Sequence, residues 1–169
     1  MYKNIIEIEN CDTFSKDDKD LFVEVLKMNK VKSFFIKNVQ IEKIIFSDTA
    51  HDVCIVHNDI LEEIIGILIK KMAVVSCCNI KVLRLENVRE IKLFDMRKIR
   101  NLNLSCCVKF EAGNLPLLRK IYLPSYLAFI FKGDNFLKKI NCPKYVHQMN
   151  FLFLTVKIFQ LILYQKIQN

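Results

Sequence analysis

The residues best suited to chemistry are His51, Cys54 and His57, which occupy every third position around a short apolar run. Imidazole nitrogen and thiolate sulfur are common zinc ligands, and two intervening residues are a workable ligand spacing. A closed structural zinc site needs four ligands, however, and the sequence offers no obvious second cluster. The alternative interpretation places Cys54 in the core and the two histidines in the flanking loops. We favour this alternative and predict neither a metal site nor another cofactor.

No catalytic motif accompanies these residues. The sequence has no glycine-rich phosphate loop, no G-x-S-x-G nucleophile motif and no H-E-x-x-H pair. A backbone cradle for a nucleotide needs glycines, and the chain has only three, Gly66, Gly113 and Gly133. The sequence therefore argues against a small-molecule substrate and against an enzyme, which would need a clustered site that it does not show.

Cysteine use and apolar patterning bear on the cellular location. The seven cysteines are an odd number, and the first residues carry charges where a signal peptide would be apolar. The apolar run over residues 64–69 ends at Lys70, and the run over residues 151–164 is interrupted by Lys157. Neither run is long enough to span a membrane. We expect reduced thiols and a cytoplasmic protein, with the nucleus as the alternative.

The chain repeats itself between Ile80 and Tyr145. With Φ for an apolar residue, the pattern Φ-x-x-Φ-x-Φ-x-x-Φ recurs five times in this span. A fifth match, centred on Ile91, falls between two of four regularly spaced ones. The central residues of those four matches are 19 residues apart: Leu83, Leu102, Ile121 and Ile140. A fixed period of this length is typical of solenoids, in which each repeat buries its apolar face against its neighbours.

The centre of the pattern, L-x-x-L-x-L, resembles the strand signature of leucine-rich repeat proteins. The resemblance covers residues 80–145 well and residues 31–49 more loosely. It implies an α/β solenoid whose apolar positions point inward and whose strands line a concave sheet. The family usually places Asn or Cys at the last motif position, where the side chain satisfies backbone groups of the turn, and only Cys107 fits. The resemblance thus implies a degenerate stack.

Two cysteine doublets fall within the repeats, Cys77-Cys78 and Cys106-Cys107. In a repeat array one cysteine of each doublet should face the core, where a free thiol packs like a small apolar group. The other cysteine should lie in a turn. We therefore predict a packing role for the doublets instead of metal binding.

Two helices are predicted in the N-terminal half. Ser15 and Asp18 form an N-cap pattern for a helix over residues 16–29. Asn58 is placed to cap a second helix from Asp59 to about Met72, whose acidic start and basic end suit the helix dipole. Strands are expected over residues 4–9, 31–39 and 41–49, with short return strands or helical turns between the later repeats. We predict one domain, with a helix-containing half (1–79), 19-residue repeats (80–145) and a C-terminal cap (146–169).

Basic charge is concentrated in the repeat half. Residues 1–80 contain 10 Lys and Arg against 13 Asp and Glu, whereas residues 81–169 contain 16 against 5. Alternation along the strands predicts which side chains point out of the stack. The predicted outer surface combines cations, amides and one tyrosine: Arg84, Lys92, Asn103, Lys120, Tyr122, Lys139 and Asn141. The turn before the third strand adds the densest basic cluster: Arg97, Lys98 and Arg100.

These features predict a non-catalytic binding protein that docks on a macromolecular partner through its repeat sheet and basic turns. A protein partner is the leading expectation, because leucine-rich repeat proteins are mostly recognition scaffolds. The alternative is an RNA- or ribosome-binding factor, since cations beside amides and an aromatic ring suit phosphate contact and base stacking. A solvated surface with no partner is the third interpretation of any single lysine. The sequence leaves this choice open.

Overall fold

The polypeptide winds into a parallel β-solenoid, with one α-helix among the described residues. The computed structural model describes residues 5–11, 15–28, 31–104, 106–122, 127–137, 139–143, 149–158 and 161–164, with side chains up to Tyr122. Each complete turn, or coil, contributes one strand to a long sheet and one strand to a short sheet. The apolar core lies between these sheets. The stacked architecture expected from the sequence is therefore confirmed.

The strands fall into one long and two short sheets, all paired in parallel. The long sheet contains, in spatial order, β1 (Ile5–Cys11), β2 (Ser33–Val39), β4 (Asp52–Val56), β6 (Lys71–Val75), β8 (Glu90–Phe94), β10 (Lys109–Gly113), β12 (Leu127–Leu137) and β14 (Met149–Ile158). The N-terminal short sheet contains β3 (Lys43–Ile45), β5 (Glu63–Gly66) and β7 (Val82–Leu85). The C-terminal short sheet contains β9 (Asn101–Asn103), β11 (Lys120–Tyr122), β13 (Lys139–Pro143) and β15 (Leu161–Tyr164).

The register of the long sheet shows the 19-residue period directly. Five residues spaced 19 apart stand opposite one another in successive strands: Ser33, Asp52, Lys71, Glu90 and Lys109. We number each coil from these residues, which are coil position 1. In the coil that begins at Glu90, the side chains at positions 2, 4, 7, 10, 13, 15 and 18 are at most 2% exposed: Ile91, Leu93, Met96, Ile99, Leu102, Leu104 and Cys107. Burial of apolar side chains at these positions supplies most of the stabilisation.

These inward positions explain the repeated sequence pattern. The same apolar spacing occurs twice in each coil, once around each strand. The match centred on Ile91 is therefore no break in the period, because Ile91 lies in β8 of the long sheet. Leu102, Ile121 and Ile140 are register partners in the C-terminal short sheet. Leu83 instead stands opposite Ile64 in the N-terminal short sheet, so three of the four residues expected in one row share a ladder.

A left-handed backbone conformation recurs near the end of six strands of the long sheet. Coil position 6 has φ between 50° and 56° in six successive strands: Asn10, Asn38, His57, Ser76, Asp95 and Asn114. Asn and Asp tolerate this region better than other residues with a Cβ atom. Neighbouring coils also bond through these side chains, as Asn38 Nδ2 donates to Asn10 Oδ1 at 3.3 Å. The shared turn keeps successive coils in register.

Helix α1 (Lys16–Lys27) closes the N-terminal end of the core. Its capping box is the one predicted: Asp18 N donates to Ser15 Oγ at 3.1 Å, and Ser15 N donates to Asp18 Oδ2 at 3.0 Å. The Ser15 hydroxyl also donates to Asp18 Oδ2 at 2.7 Å, and this bond together with the one from Ser15 N lowers the pKa of the Asp18 carboxyl. Phe22 and Leu26 are buried against the first coils, which confirms an amphipathic helix here.

The second predicted helix, from Asp59 to Met72, is wrong. These residues form β5, a turn and the start of β6. The prediction failed because Leu61, Ile64, Ile69 and Met72 are inward coil positions, and a three-residue spacing between such positions imitates one turn of a helix. Ladder pairing with a neighbouring coil on each side overrides the local preference.

The strands expected near residues 4–9, 31–39 and 41–49 are observed as β1, β2 and β3. The predicted C-terminal cap contains β14 and β15, which pair with β12 and β13 and extend the stack. Within the part of the chain that the structure describes, no helix has the length and apolar character needed to cross a membrane.

Candidate functional site: a basic edge and an outer groove

Five cations gather at one edge of the C-terminal coils. They lie in the turns that lead from the long sheet into β9 and β11, or at the start of β11. Adjacent coils stack directly here, since Arg119 N donates to Arg100 O at 2.8 Å. All five are exposed, and we call them the basic edge: Arg97, Lys98, Arg100, Arg119 and Lys120.

Carboxylates near this region are engaged elsewhere. Between residues 88 and 122 the chain has three acidic residues, Glu90, Asp95 and Glu111. Glu90 pairs with Lys71 at 3.8 Å and Glu111 with Lys92 at 3.3 Å, both on the long sheet. Asp95 Oδ1 accepts a hydrogen bond from Asn114 Nδ2 at 2.6 Å. No ion pair joins the basic edge to a carboxylate of the described residues, so its positive charge faces solvent.

The C-terminal short sheet places the predicted surface residues in two rows beside the basic edge. Asn103, Tyr122 and Asn141 are register partners in β9, β11 and β13. Lys120 and Lys139 are likewise direct partners, so two lysines follow one another along the stack. Tyr122 is 46% exposed, which leaves its ring accessible. The structure thus brings together these predicted residues and the cluster Arg97, Lys98 and Arg100.

Arg84 and Lys92 do not belong to this group. Arg84 lies in the N-terminal short sheet, and its Nε is 3.4 Å from Glu63 Oε1. Glu63 also contacts Lys43 Nζ at 2.8 Å, and the Lys43 hydrogen bond lowers the pKa of the Glu63 carboxyl. Lys92 lies in β8 of the long sheet, beside Glu111. Alternation along the strand correctly predicted that Lys92 points outward. It did not predict whether the strand belongs to the long sheet or to a short sheet.

The His51, Cys54 and His57 side chains are spread along β4 and its two ends. Cys54 lies on the outer face between the buried Val53 and Ile55, so its expected place in the core is wrong. Partial burial on this face raises the pKa of the Cys54 thiol. His57 occupies the left-handed turn after the strand. The described residues contain no group of three or more His, Cys, Asp or Glu side chains that could hold a metal ion.

The cysteine doublets pack as expected. Cys77 and Cys107 are buried, whereas Cys78 and Cys106 lie in turns. The Cys107 thiol donates to the carbonyl oxygens of Lys109 at 3.1 Å and Arg89 at 3.5 Å. It therefore satisfies backbone groups of the turn, which is the role expected from its motif position. Burial raises the pKa of Cys107 to about 12.

Asn58 has an equivalent role at the other turn, which the sequence analysis missed. It is the one buried polar side chain among the described residues, at 1% exposure. Its Oδ1 accepts from Val39 N at 2.7 Å, and its Nδ2 donates to Val56 O at 2.8 Å and Ile36 O at 3.3 Å. These bonds tie two coils together. Its position 19 residues before the buried Cys77 was the available signal.

The outer face of the long sheet carries a second surface that sequence reasoning missed. An open groove of about 890 Å³ crosses β1, β2, β4, β6 and β8. Phe35, Cys54 and Ala73 form an apolar floor, and Ile5 lies at the N-terminal end. The 19-residue spacing from Phe35 to Cys54 to Ala73 would have revealed this floor, but the helix predicted over residues 59–72 hid the period.

Comparisons with known proteins do not place the chain in a family. No family model matches it. No curated protein and no solved structure matches it either. Its function must be inferred from the two surfaces described above.

Proposed function

We propose that the protein is a non-catalytic docking module that binds an acidic protein partner through the basic edge and the C-terminal short sheet. The observation that carries this proposal is the set of five exposed cations with no described carboxylate in ion-pair contact. Unneutralised charge of one sign lowers stability through self-repulsion. A partner with acidic side chains would offset this repulsion.

The fit to a protein partner rests on the composition of the surface. Arg is enriched at the centres of protein interfaces, and so is Tyr. Arg100 and Arg119 stack in adjacent coils immediately before β9 and β11, the strands that contain Asn103 and Tyr122. A planar guanidinium binds carboxylates through two parallel hydrogen bonds. The proposed interface therefore has arginine anchors at its edge and an aromatic anchor on its sheet.

The resemblance to leucine-rich repeat proteins supports the same role. It rests on the L-x-x-L-x-L spacing and on Cys107, whose thiol bonds the turn as the motif position requires. Members of that family are mostly recognition scaffolds, although a fold does not determine a function. We propose a degenerate relationship of this kind, with strands on both sides of the coil.

A second candidate is RNA, which the row of Asn103, Tyr122 and Asn141 favours. The exposed ring of Tyr122 beside Asn103 could stack on a base while the neighbouring cations contact phosphates. RNA binding would weaken steeply with salt, because each neutralised phosphate releases counterions. Purified protein would then carry absorbance at 260 nm that high salt removes.

The test uses two charge-reversed variants of the full chain as baits. Arg100→Glu with Arg119→Glu changes the basic edge, and Lys19→Glu with Lys27→Glu makes the same change in net charge on α1. We expect nuclease-treated extract to yield a protein that wild type and the α1 variant both retain and the basic-edge variant loses. Partners retained equally by all three baits would contradict the proposal. Loss of the bound material on nuclease treatment would favour RNA instead.

A further inference from the structure

A row of basic residues runs along one side of the outer groove, where the strands of the long sheet begin, whereas the basic edge lies beyond the ends of β8 and β10. The row occupies coil position 19, the last residue before each strand of the long sheet: Lys32, His51, Lys70 and Arg89. Backbone hydrogen bonds stack its members, since His51 N donates to Lys32 O at 2.8 Å and Arg89 N to Lys70 O at 3.1 Å. Neighbouring strands are about 4.8 Å apart, so the row is about 14 Å long.

Charges inside the groove largely cancel, whereas those of the row do not. Asp52, Lys71 and Glu90 line the groove and alternate in sign along successive strands, and Lys71 contacts Glu90 at 3.8 Å. Lys32, Lys70 and Arg89 form no ion pair with any carboxylate in the described ranges. Lys32 and His51 line the groove itself, and Lys70 and Arg89 continue the row at the start of β6 and β8. The groove therefore has an apolar floor and, along one side, a row of cations that pair with no described carboxylate.

We propose that this groove binds an extended peptide segment that carries both acidic and apolar side chains. The five strands that it crosses span about 19 Å, which is the length of about six extended residues. Apolar side chains of the peptide would cover Phe35, Cys54 and Ala73. Its carboxylates would contact Lys32, Lys70 and Arg89. The outer face of a sheet has no free backbone hydrogen-bonding groups, so recognition would depend on side chains.

An acidic and apolar peptide fits these features better than a nucleic acid does. Two phenylalanines line the groove, but Phe34 is buried in the core and Phe35 alone faces outward on the floor. Binding of single strands depends on several stacked bases. The basic wall lies on one side only, and carboxylates Glu7 and Asp52 also line the groove. A phosphate backbone would meet these carboxylates along its path, whereas a peptide can place apolar side chains opposite them.

The test measures the anisotropy of a fluorescein-labelled octapeptide of alternating glutamate and valine as the full chain is added. We expect saturable binding at low salt and none for the octapeptide with lysine in place of glutamate. Lys70→Glu with Arg89→Glu should weaken binding at least about tenfold, because two attractive contacts become repulsive. Ala73→Glu, which adds a carboxylate to the floor, should weaken it as well. Thermal unfolding checks that each variant is folded. If Ala73→Glu does not fold, the variant with Lys70→Glu and Arg89→Glu still tests the groove, because both of these side chains are exposed.

The matched control is the α1 variant Lys19→Glu with Lys27→Glu, which removes the same number of cations from a helix that belongs to neither surface and should bind the octapeptide like wild type. The capture experiment described above tests the basic edge separately, so failure of one proposal is distinguishable from failure of the other. The inference is overturned if the glutamate peptide does not saturate, or if the lysine peptide binds equally. Unchanged affinity in the groove variant would also overturn it. The inference is also overturned if oligouridylate binds saturably where the peptide does not, and if the variant with Lys70→Glu and Arg89→Glu loses that binding.

Discussion

The N-terminal and C-terminal coils share a core and differ in their outward charges. Ile64 and Leu102 occupy the same inward position in their short-sheet strands. On the outside, β3 and β5 place Lys43 opposite Glu63, with 2.8 Å between their charged atoms. In the equivalent row, β11 and β13 place Lys120 opposite Lys139. Inward residues specify the coil, and outward residues are free to serve either stability or binding.

The boundary between these regions is visible at coil position 11, the turn before each short-sheet strand. From the second coil onward this column changes from Glu62 to Lys81, Arg100 and Arg119. Lys81 Nζ contacts Glu62 Oε1 at 2.6 Å, which neutralises the pair at the boundary. Beyond Lys81 the column is cationic. The two short sheets are also separate, because β7 and β9 share no ladder.

The largest expected effect comes from core substitutions, which test whether the shared core contributes equally to stability in the two regions. Ile64→Ala and Leu102→Ala should each reduce the free energy of unfolding by about 2–5 kcal/mol, since both create a cavity at a buried position. Denaturant unfolding of the purified variants measures this loss. Val82→Ala, at an outward position that is 36% exposed, is the control and should change stability by less than about 0.5 kcal/mol. A large loss from only one core substitution would show that one region is not part of the cooperative fold.

The next effect concerns coil position 7, where the two regions use different chemistry. Asn58→Ala leaves Val39 N and Ile36 O without their buried partner, and should cost about 1–3 kcal/mol. Met96, at the same position in a C-terminal coil, makes an apolar contact only, so Met96→Leu should cost less than about 1.5 kcal/mol. Equal stability of wild type and Asn58→Ala would contradict the account of this turn.

Charge reversal of one lysine in each region distinguishes a residue that stabilises the fold from a residue that binds the partner. Lys43→Glu should lower stability, because it places two carboxylates opposite each other in β3 and β5. Lys120→Glu should leave stability within about 1 kcal/mol or raise it, because it replaces a like-charge pair with an opposite one. Thermal unfolding reports both effects, and partner capture reports the loss of binding expected for Lys120→Glu alone. A Lys120→Glu variant that binds normally would exclude this residue from the interface.

The smallest expected effect is a difference in reactivity between buried and exposed cysteines, which is measured without a change in the fold. Burial raises the pKa of Cys77 to about 11 and that of Cys107 to about 12, so neither is a thiolate near pH 8. Cys106 is exposed in its turn and should react first with an aromatic disulfide reagent, since the thiolate is the reacting form. Peptide mapping by mass spectrometry resolves the sites. Labelling of Cys107 as fast as Cys106 would show that this turn opens readily.

The sequence was sufficient for the repeat and for α1, because both depend on spacing that is local and regular. The 19-residue interval and the Ser15 capping box are both observed in the structure. The sequence did not show that residues 59–72 form strands instead of a helix. It also did not show which sheet contains Lys92. Both failures arise because the two strands of a coil have the same apolar spacing. The outer groove was missed because its floor is defined by residues 19 apart in sequence, which only stacking brings together.

The most direct test of the central proposal is the affinity of a recovered protein partner for three forms of the full chain, measured by titration calorimetry at two salt concentrations. The forms are wild type, Arg100→Glu with Arg119→Glu, and Lys19→Glu with Lys27→Glu. We predict that the basic-edge variant binds at least about tenfold more weakly, that the α1 variant binds like wild type, and that salt weakens wild-type binding. Equal affinity for all three forms would contradict the assignment of the partner to the basic edge.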